Sequence, residues 1–208
     1  MKTSMGRSAS CALAVAATLV AASGAQAALL LNGDFETNPP VLNVSGFAYA
    51  NPDSWTFTSG GVSSTAVIYG AGYGGQPFVD TRALQLERPG DKISQSVTLQ
   101  AGQQYQLDFL VAAYSPTGYV LGVDISNASV GGGNFSGSNQ AFQTGSILFT
   151  ADGGASTFSF RSDGALFSYP QLDNVSVTAV PEVQEWAMML AGLGLVGWVA
   201  RRRTGDRT

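Results

Sequence analysis

The chain has 208 residues, a net charge of −4 and no histidine, and its only cysteine is Cys11. The commonest acid–base catalyst, the commonest transition-metal ligand and an internal disulfide are therefore excluded. Eleven acidic and four basic residues between Ala28 and Ala179 give this body a net charge of −7. That charge excludes the basic surface that nucleic acids require, and it is compatible with a neutral polysaccharide or with calcium.

The first 27 residues have the order of a secretory signal peptide. Lys2 and Arg7 precede an apolar run over 11–22, and Ala25 and Ala27 form the small-residue pattern that signal peptidase cleaves. We predict cleavage after residue 27 and export of the mature chain.

Apolar and polar residues alternate through the body, which is the period of β-strands. Ile93–Leu99 and Tyr105–Val111 are predicted to pair as a hairpin across Gln100–Gln103. Further predicted strands are 54–58, 66–69, 83–87, 119–126, 146–150, 156–162 and 172–179. The glycine-rich residues 131–137 are predicted to form one long loop, and no helix is predicted before residue 184.

About eight to ten short strands in such a body predict an all-β fold. We expect residues 28–179 to form one domain, a two-sheet antiparallel β-sandwich of the jelly-roll kind. The alternation places four aromatic side chains in its core, together with Trp55. These four are Phe109, Phe149, Phe158 and Phe160.

Residues 29–36 read Leu-Leu-Leu-Asn-Gly-Asp-Phe-Glu, and 172–177 close the body as Leu-Asp-Asn-Val-Ser-Val. With the segments 93–99 and 105–109, they resemble the galactose-binding-like jelly rolls, above all the family 4/9/22-type carbohydrate-binding modules. The resemblance implies that the first and last strands are neighbours. It also implies a structural calcium ion held by Glu36, Asp173 and the Gly33 carbonyl. Alternatively, Glu36 and Asp173 bond local backbone amides in turns.

Catalysis is not predicted. A glycosidase needs two carboxylates facing one cleft, and Glu36 and Glu87 are the only glutamates of the body. Glu87 stands beside Arg88 and is interpreted as a surface ion-pair partner. Without histidine the chain has no ordinary Ser-His-Asp triad.

Glycan binding is the stronger hypothesis. Sugar-binding modules place aromatic rings under sugar faces and read hydroxyl groups with amides and carboxylates. Tyr73 and Tyr119 adjoin Gly-rich or Pro-containing loops and are predicted to bind the ligand. The wider set of candidate aromatic residues is Tyr69, Tyr73, Phe78, Tyr114, Tyr119, Phe135 and Tyr169. The sequence does not select one sugar.

The tail, residues 180–208, begins with Val180-Pro181-Glu182. An uncharged apolar run over 186–200 follows, and then Arg201, Arg202 and Arg203. A run of this kind predicts a single transmembrane helix, and the arginines predict a stop-transfer signal on the cytoplasmic side. The alternative is an amphipathic core helix of a soluble domain.

This tail resembles the PEP-CTERM sorting signal of Gram-negative, exopolysaccharide-producing bacteria, which combines a Pro-Glu motif, a short apolar span and an Arg cluster. The resemblance implies cleavage near Pro181 and Glu182 by an exosortase. It also implies an inner-membrane precursor that is moved to the cell surface or the extracellular matrix. The family usually has proline after the glutamate, where this chain has Val183. The two open functions are a sorted carbohydrate-binding surface protein and a structural surface protein without a specific small ligand.

Overall fold

The computed structural model of the protein describes residues 29–37, 40–61, 66–70, 73, 80–181 and 183–205. The predicted signal peptide with Ala25 and Ala27, the candidate Phe78, and Glu182 of the tail motif lie outside the described residues.

Eleven strands form two antiparallel sheets in the described part of the chain. The six-stranded sheet has the order β1-β3-β4-β11-β6-β9, and the five-stranded sheet has the order β2-β5-β10-β7-β8. The predicted all-β sandwich is confirmed. The strands are β1 Phe47–Tyr49, β2 Thr56–Thr58, β3 Val67–Gly70, β4 Arg82–Gln85, β5 Lys92–Leu99, β6 Gln104–Ala113, β7 Tyr119–Ile125, β8 Gly132–Gly137, β9 Gln143–Thr150, β10 Gly154–Ser162 and β11 Pro170–Ala179.

The main hydrophobic core lies between the two sheets. Its aromatic members have an exposed fraction of 6% or less and include every residue predicted for this position: Trp55, Phe109, Phe149, Phe158 and Phe160. Burying such side chains contributes about 1.5–3 kcal/mol each, so this core is a principal source of stability.

The predicted hairpin is wrong. Strand β5 pairs with β2 and β10, whereas β6 pairs with β11 and β9 in the opposite sheet. The turn at Gln100–Gln103 therefore crosses the sandwich, with Gly102 at φ 80°. Both strands show the predicted alternation because each turns one face to the shared core. The alternation does not specify which strand lies beside which.

The predicted loop over 131–137 is also wrong. Gly132–Gly137 forms β8, an edge strand that pairs with β7. A glycine is required here, because a Cβ on Gly132 would come within 1.8 Å of the Val123 carbonyl oxygen.

The N-terminal segment 29–37 lies along β11 without forming a strand. Leu29 N donates to Val177 O at 3.0 Å, and Val175 N donates to Gly33 O at 2.9 Å. The register of β11 against β6 shifts between Asp173 and Ser176, where Asn174 has φ 48°. Gly33 packs against the backbone of this bulge. A Cβ atom at Gly33 would lie 1.8 Å from Val175 O, so only glycine fits there. The expected neighbourhood of the first and last segments is therefore present, with a bulge in place of a regular strand pair.

The chain leaves the sandwich at a tightly held residue. Val180 N donates to Gln104 O at 2.8 Å, and the Gln103 side-chain amide donates to Val180 O at 2.7 Å. The helix α1, Val183–Gly205, then follows at the position predicted for the tail helix. Within the residues that are described, no helix combines the length and apolarity needed to cross a membrane. The membrane span stays a prediction.

Candidate functional site

The outer face of the six-stranded sheet carries a continuous row of contacting aromatic rings. Adjacent ring centroids are 5.4 Å apart for Tyr49 and Phe47, 5.2 Å for Phe47 and Tyr73, and 6.1 Å for Tyr73 and Tyr114. The row continues from Tyr114 to Tyr169 at 5.5 Å and from Tyr169 to Phe167 at 6.0 Å. We call these six residues the aromatic strip.

The register of three strands places the strip on the outer face. Phe47 of β1 is opposite Tyr69 of β3, and Tyr69 is opposite Ala83 of β4. Directly opposed residues share a face of a sheet. Tyr69, Ala83 and Val67 are fully buried in a small cluster of their own, separate from the main core. Tyr69 contacts Tyr73 with centroids 5.1 Å apart, so it supports the strip without being part of its surface.

The two ends of the strip are the most exposed. Tyr49 is 62% exposed and Phe167 is 65% exposed. Phe167 has φ 70°, a left-handed conformation that costs a non-glycine residue about 1–3 kcal/mol. Its carbonyl accepts hydrogen bonds of 3.1 Å from the hydroxyl groups of Ser115 and Thr117. These bonds fix a strained residue whose ring faces solvent.

Two buried glutamines lie under the middle of the strip. Gln171 Nε2 donates to Gln85 Oε1 at 3.0 Å, and both side chains have an exposed fraction of 1% or less. Because its oxygen accepts from Gln171, Gln85 directs its amide nitrogen outward. That nitrogen donates to the Tyr73 hydroxyl at 3.2 Å and to Glu87 Oε1 at 3.4 Å.

Glu87 is therefore part of this face and not a simple surface residue. Its side chain is half-buried, and burial is the main reason why its pKa is raised above the ordinary value of 4.5. Arg88 lowers that pKa, and no ion pair between Glu87 and Arg88 occurs among the described residues. Burial raises the pKa of Tyr73 to about 12, so its hydroxyl stays protonated. The interpretation of Glu87 as an ion-pair partner of Arg88 is wrong, because its carboxylate accepts from Gln85 Nε2 and forms no ion pair with Arg88 in the described part of the chain.

The two tyrosines predicted to bind ligand have different environments. Tyr73 is partly exposed at the centre of the strip. Tyr119 is only 6% exposed and packs in the main core, so its predicted exposure is wrong. The sequence could have shown this burial. Tyr119 lies two and four positions before the buried residues Leu121 and Val123, so the alternation of β7 places it on the same inward face.

The predicted calcium ligand Glu36 binds protein donors. Its Oε1 accepts from the backbone amides of Thr81 at 2.7 Å and Arg82 at 2.5 Å. The Thr81 hydroxyl donates to its other oxygen. Asp34 Oδ1 accepts from Glu36 N at 3.3 Å and so caps the turn that follows it. Glu36 thus fastens the N-terminal segment to the start of β4.

The other two predicted ligands have separate partners. The Gly33 carbonyl accepts from Val175 N, and Asp173 Oδ1 accepts from Asn174 N at 2.8 Å. Asp173 is fully buried near Tyr69, whose pKa is raised by burial and then by the Asp173 charge. The described residues contain no cluster of three His, Cys, Asp or Glu side chains suited to a metal ion. The Asp173 contact matches the alternative of a local backbone amide, whereas Glu36 accepts from amides that lie 45 and 46 positions away. Calcium binding stays a prediction.

The described tail residues are largely exposed. Pro181 is exposed, and the Arg202 guanidinium lies 4.0 Å from the Trp198 ring centroid. Arg201 is exposed, and the side chain of Arg203 lies outside the description. The stop-transfer role of Arg201, Arg202 and Arg203 stays a prediction.

The family described as "Protein of unknown function (DUF642)" matches residues 28–178, and the chain belongs to this family. The match ends before Val180, so the tail hypothesis rests on the sequence alone. No curated protein matches the chain.

Three solved structures have a similar fold. A Stig cyclase, Fisc from Fischerella sp. TAU, has 14% identity and a TM-score of 0.57 over 74% of this chain and 97% of that chain. TmCBM61 in complex with beta-1,4-galactotriose has 14% identity and a TM-score of 0.54 over 74% of this chain and 99% of that chain. The arabinose-bound MgGH51 α-L-arabinofuranosidase has 12% identity and a TM-score of 0.53 over 76% of this chain and 27% of that chain. At these identities the likeness shows the jelly-roll fold, which cyclases and a carbohydrate-binding module share.

Proposed function

We propose that this DUF642 chain is an exported, non-catalytic protein that binds a neutral polysaccharide along the aromatic strip. The observation that carries the proposal is the strip itself, a row of six contacting rings with two strongly exposed ends on one face of a sheet. Aromatic rings that lie near one another on a surface offer an extended apolar platform to the C–H faces of consecutive sugar units.

Three further observations support glycan binding. Tyr73 and Glu87, both bonded to the buried Gln85 amide, supply polar groups at the middle of the platform, where they can read hydroxyl groups. The strained backbone of Phe167 is fixed by two hydroxyl groups, and such strain concentrates at ligand sites. TmCBM61, which shares the fold, is described with a bound galactotriose, and this supports an oligosaccharide as the ligand class.

The tail gives the proposed destination. We infer that signal peptidase removes residues 1–27, and that Pro181-Glu182, the apolar run and the Arg cluster direct the precursor from the inner membrane to an exosortase. The mature domain then reaches the cell surface or the extracellular matrix, where exopolysaccharide is the polymer available to it. The resemblance of the tail to PEP-CTERM signals supports this route.

The test is affinity electrophoresis of the purified 28–181 fragment on a panel of neutral polysaccharides that includes β-1,4-galactan. We expect at least one polymer to retard the wild-type domain. Tyr49→Ala and Phe167→Ala should weaken that binding by about 1–3 kcal/mol without lowering the melting temperature much, because both rings are exposed. Val130→Ala, an exposed apolar residue in the turn before β8, is the matched control. Failure of every polymer to retard the wild type would favour the structural surface protein.

A further inference from the structure

The middle of the strip carries a charged group, the Glu87 carboxylate, although binding of a neutral sugar requires only uncharged polar groups. A platform of rings alone would bind any sugar face, whether the sugar is neutral or charged. Glu87 adds a carboxylate whose surroundings include Gln85, Arg88, Asp91, Tyr73 and Tyr169. Only Arg88 among these is a cation, and it is exposed.

The buried glutamine pair directs a hydrogen-bond donor at one oxygen of Glu87. Gln171 occupies the Gln85 oxygen at 3.0 Å, so the Gln85 amide nitrogen is directed to Glu87 Oε1 and the Tyr73 oxygen. The second carboxylate oxygen of Glu87 can then accept from a ligand hydroxyl, and the Tyr73 hydroxyl proton can be donated. Both groups favour a hydroxyl as the ligand group. A sugar carboxylate or sulfate would meet an acceptor of its own charge.

We propose that Glu87, oriented by Gln85 and Gln171, is a specificity-determining residue that restricts the aromatic strip to uncharged glycans and rejects uronate-containing or sulfated ones. This inference rests on the proposed function and deepens it. Two like charges brought together at a partly enclosed site repel strongly, and such repulsion is a general route to specificity. The net charge of the body has the same sign, but it comes from residues along the whole body, whereas Glu87 lies at the strip.

A matched pair of polymers tests the inference. One is a neutral polysaccharide that retards the wild-type domain, and the other is the same polymer after oxidation of its primary hydroxyl groups to carboxylates. We expect the wild type to bind the oxidised polymer about tenfold more weakly or worse at low salt. In Glu87→Gln the ratio of the affinities for the neutral and the oxidised polymer should fall to about threefold or less. The glutamine amide keeps an acceptor oxygen and loses the charge.

Asp152→Asn is the control for net charge. It removes the same charge from the turn between β9 and β10, away from the strip, and should keep the wild-type ratio. Raising the salt concentration to about 0.5 M should reduce the preference for the neutral over the oxidised polymer more in the wild type than in Glu87→Gln, because salt screens the charge of Glu87. Circular dichroism melting of each variant confirms that the fold is kept.

The outcomes separate the two proposals. If the wild type binds neutral and oxidised polymers equally, glycan binding stands and the inference about charge is overturned. If Glu87→Gln discriminates as strongly as the wild type, the role of Glu87 is likewise overturned. If no neutral polymer retards the wild type, the proposed function itself fails, and the inference fails with it.

Discussion

Gln171 and Gln85 are 86 positions apart and join side chain to side chain under the aromatic strip, with Nε2 and Oε1 3.0 Å apart. Each is buried in the six-stranded sheet, Gln85 on β4 and Gln171 on β11, directly opposite each other in the register. The bond links the floor of the candidate site to the pairing of two central strands. Stability and binding should therefore respond together when it is broken.

The first prediction concerns this pair. Gln85→Leu or Gln171→Leu should each lower the free energy of unfolding by about 1–3 kcal/mol, because the remaining amide loses a buried partner. The double variant should cost less than the two single variants together, with a coupling of about 0.5–3 kcal/mol. Urea denaturation of the wild type, the two single variants and the double variant measures this coupling as a double-mutant cycle. Gln104→Leu, an exposed change on β6, is the control, and additive losses would contradict the prediction.

The second prediction concerns Glu36 and calcium. Since the carboxylate accepts from two backbone amides and one hydroxyl, Glu36→Gln should lower the free energy of unfolding by about 1–3 kcal/mol. If backbone fastening is its role, the loss is the same in Ca²⁺ and in chelator. Thr81→Val should cause part of the same loss of stability, because it removes the hydroxyl that donates to Glu36.

Melting curves with Ca²⁺ and with chelator decide between the two roles of Glu36. A wild-type melting temperature that rises with Ca²⁺, and a rise that disappears in Asp173→Asn, would establish the calcium site.

The third prediction concerns the pH dependence of stability. The pKa of Glu87 is raised in the folded protein, mainly by burial, above its ordinary value of 4.5. Its contribution to stability is therefore fully present below about pH 4.5 and is lost as pH rises through the folded pKa. Compared with the wild type, Glu87→Gln should become progressively more stable from pH 4.5 upward. Urea midpoints of both proteins between pH 4 and 8 measure the difference, and a constant difference would count against the burial of this carboxylate.

The fourth prediction concerns the tail. Replacing Arg201, Arg202 and Arg203 with serine in the full-length precursor should weaken membrane retention and processing, because the cluster supplies the proposed stop-transfer signal. Immunoblots of membrane and soluble fractions compare this variant with the wild type and with Arg88→Ser, which changes an exposed arginine of the body. Unchanged retention and unchanged processed size would remove the stop-transfer role.

The alternation of the sequence was sufficient to predict nine of the eleven strands and the aromatic core, because a buried face repeats every second residue whatever its partner is. It missed β1 and β8. It did not distinguish a hairpin from a crossing between sheets, so β5 and β6 were paired wrongly. It also treated the glycines of β8 as a loop, although an edge strand against β7 needs little side-chain packing.

The candidate site was harder to predict because its members come from separate parts of the chain. Tyr73 was selected by its loop position and lies in the strip, and Tyr114 and Tyr169 were among the wider set of candidates; ligand binding by Tyr73 stays a prediction. Phe47 and Phe167 belong to segments without a strong pattern, and only tertiary contacts place them beside the tyrosines. No local signal shows that a glutamine of β4 meets one of β11.

The hydrogen bonds at Val180 have a consequence for any enzyme that cuts the chain nearby. Ala179 is still paired with Tyr105. The Val180 amide donates to Gln104 of β6, and the Val180 carbonyl accepts from Gln103 of the turn before β6. A protease that binds three extended residues before the cleaved bond needs about 10 Å of chain that is not paired with the sheet. Between the sandwich and Glu182 only Pro181 lies beyond these bonds. An enzyme that cuts at the proposed motif would therefore have to separate the end of β11 from its neighbours first, and a more stable domain would be cut more slowly.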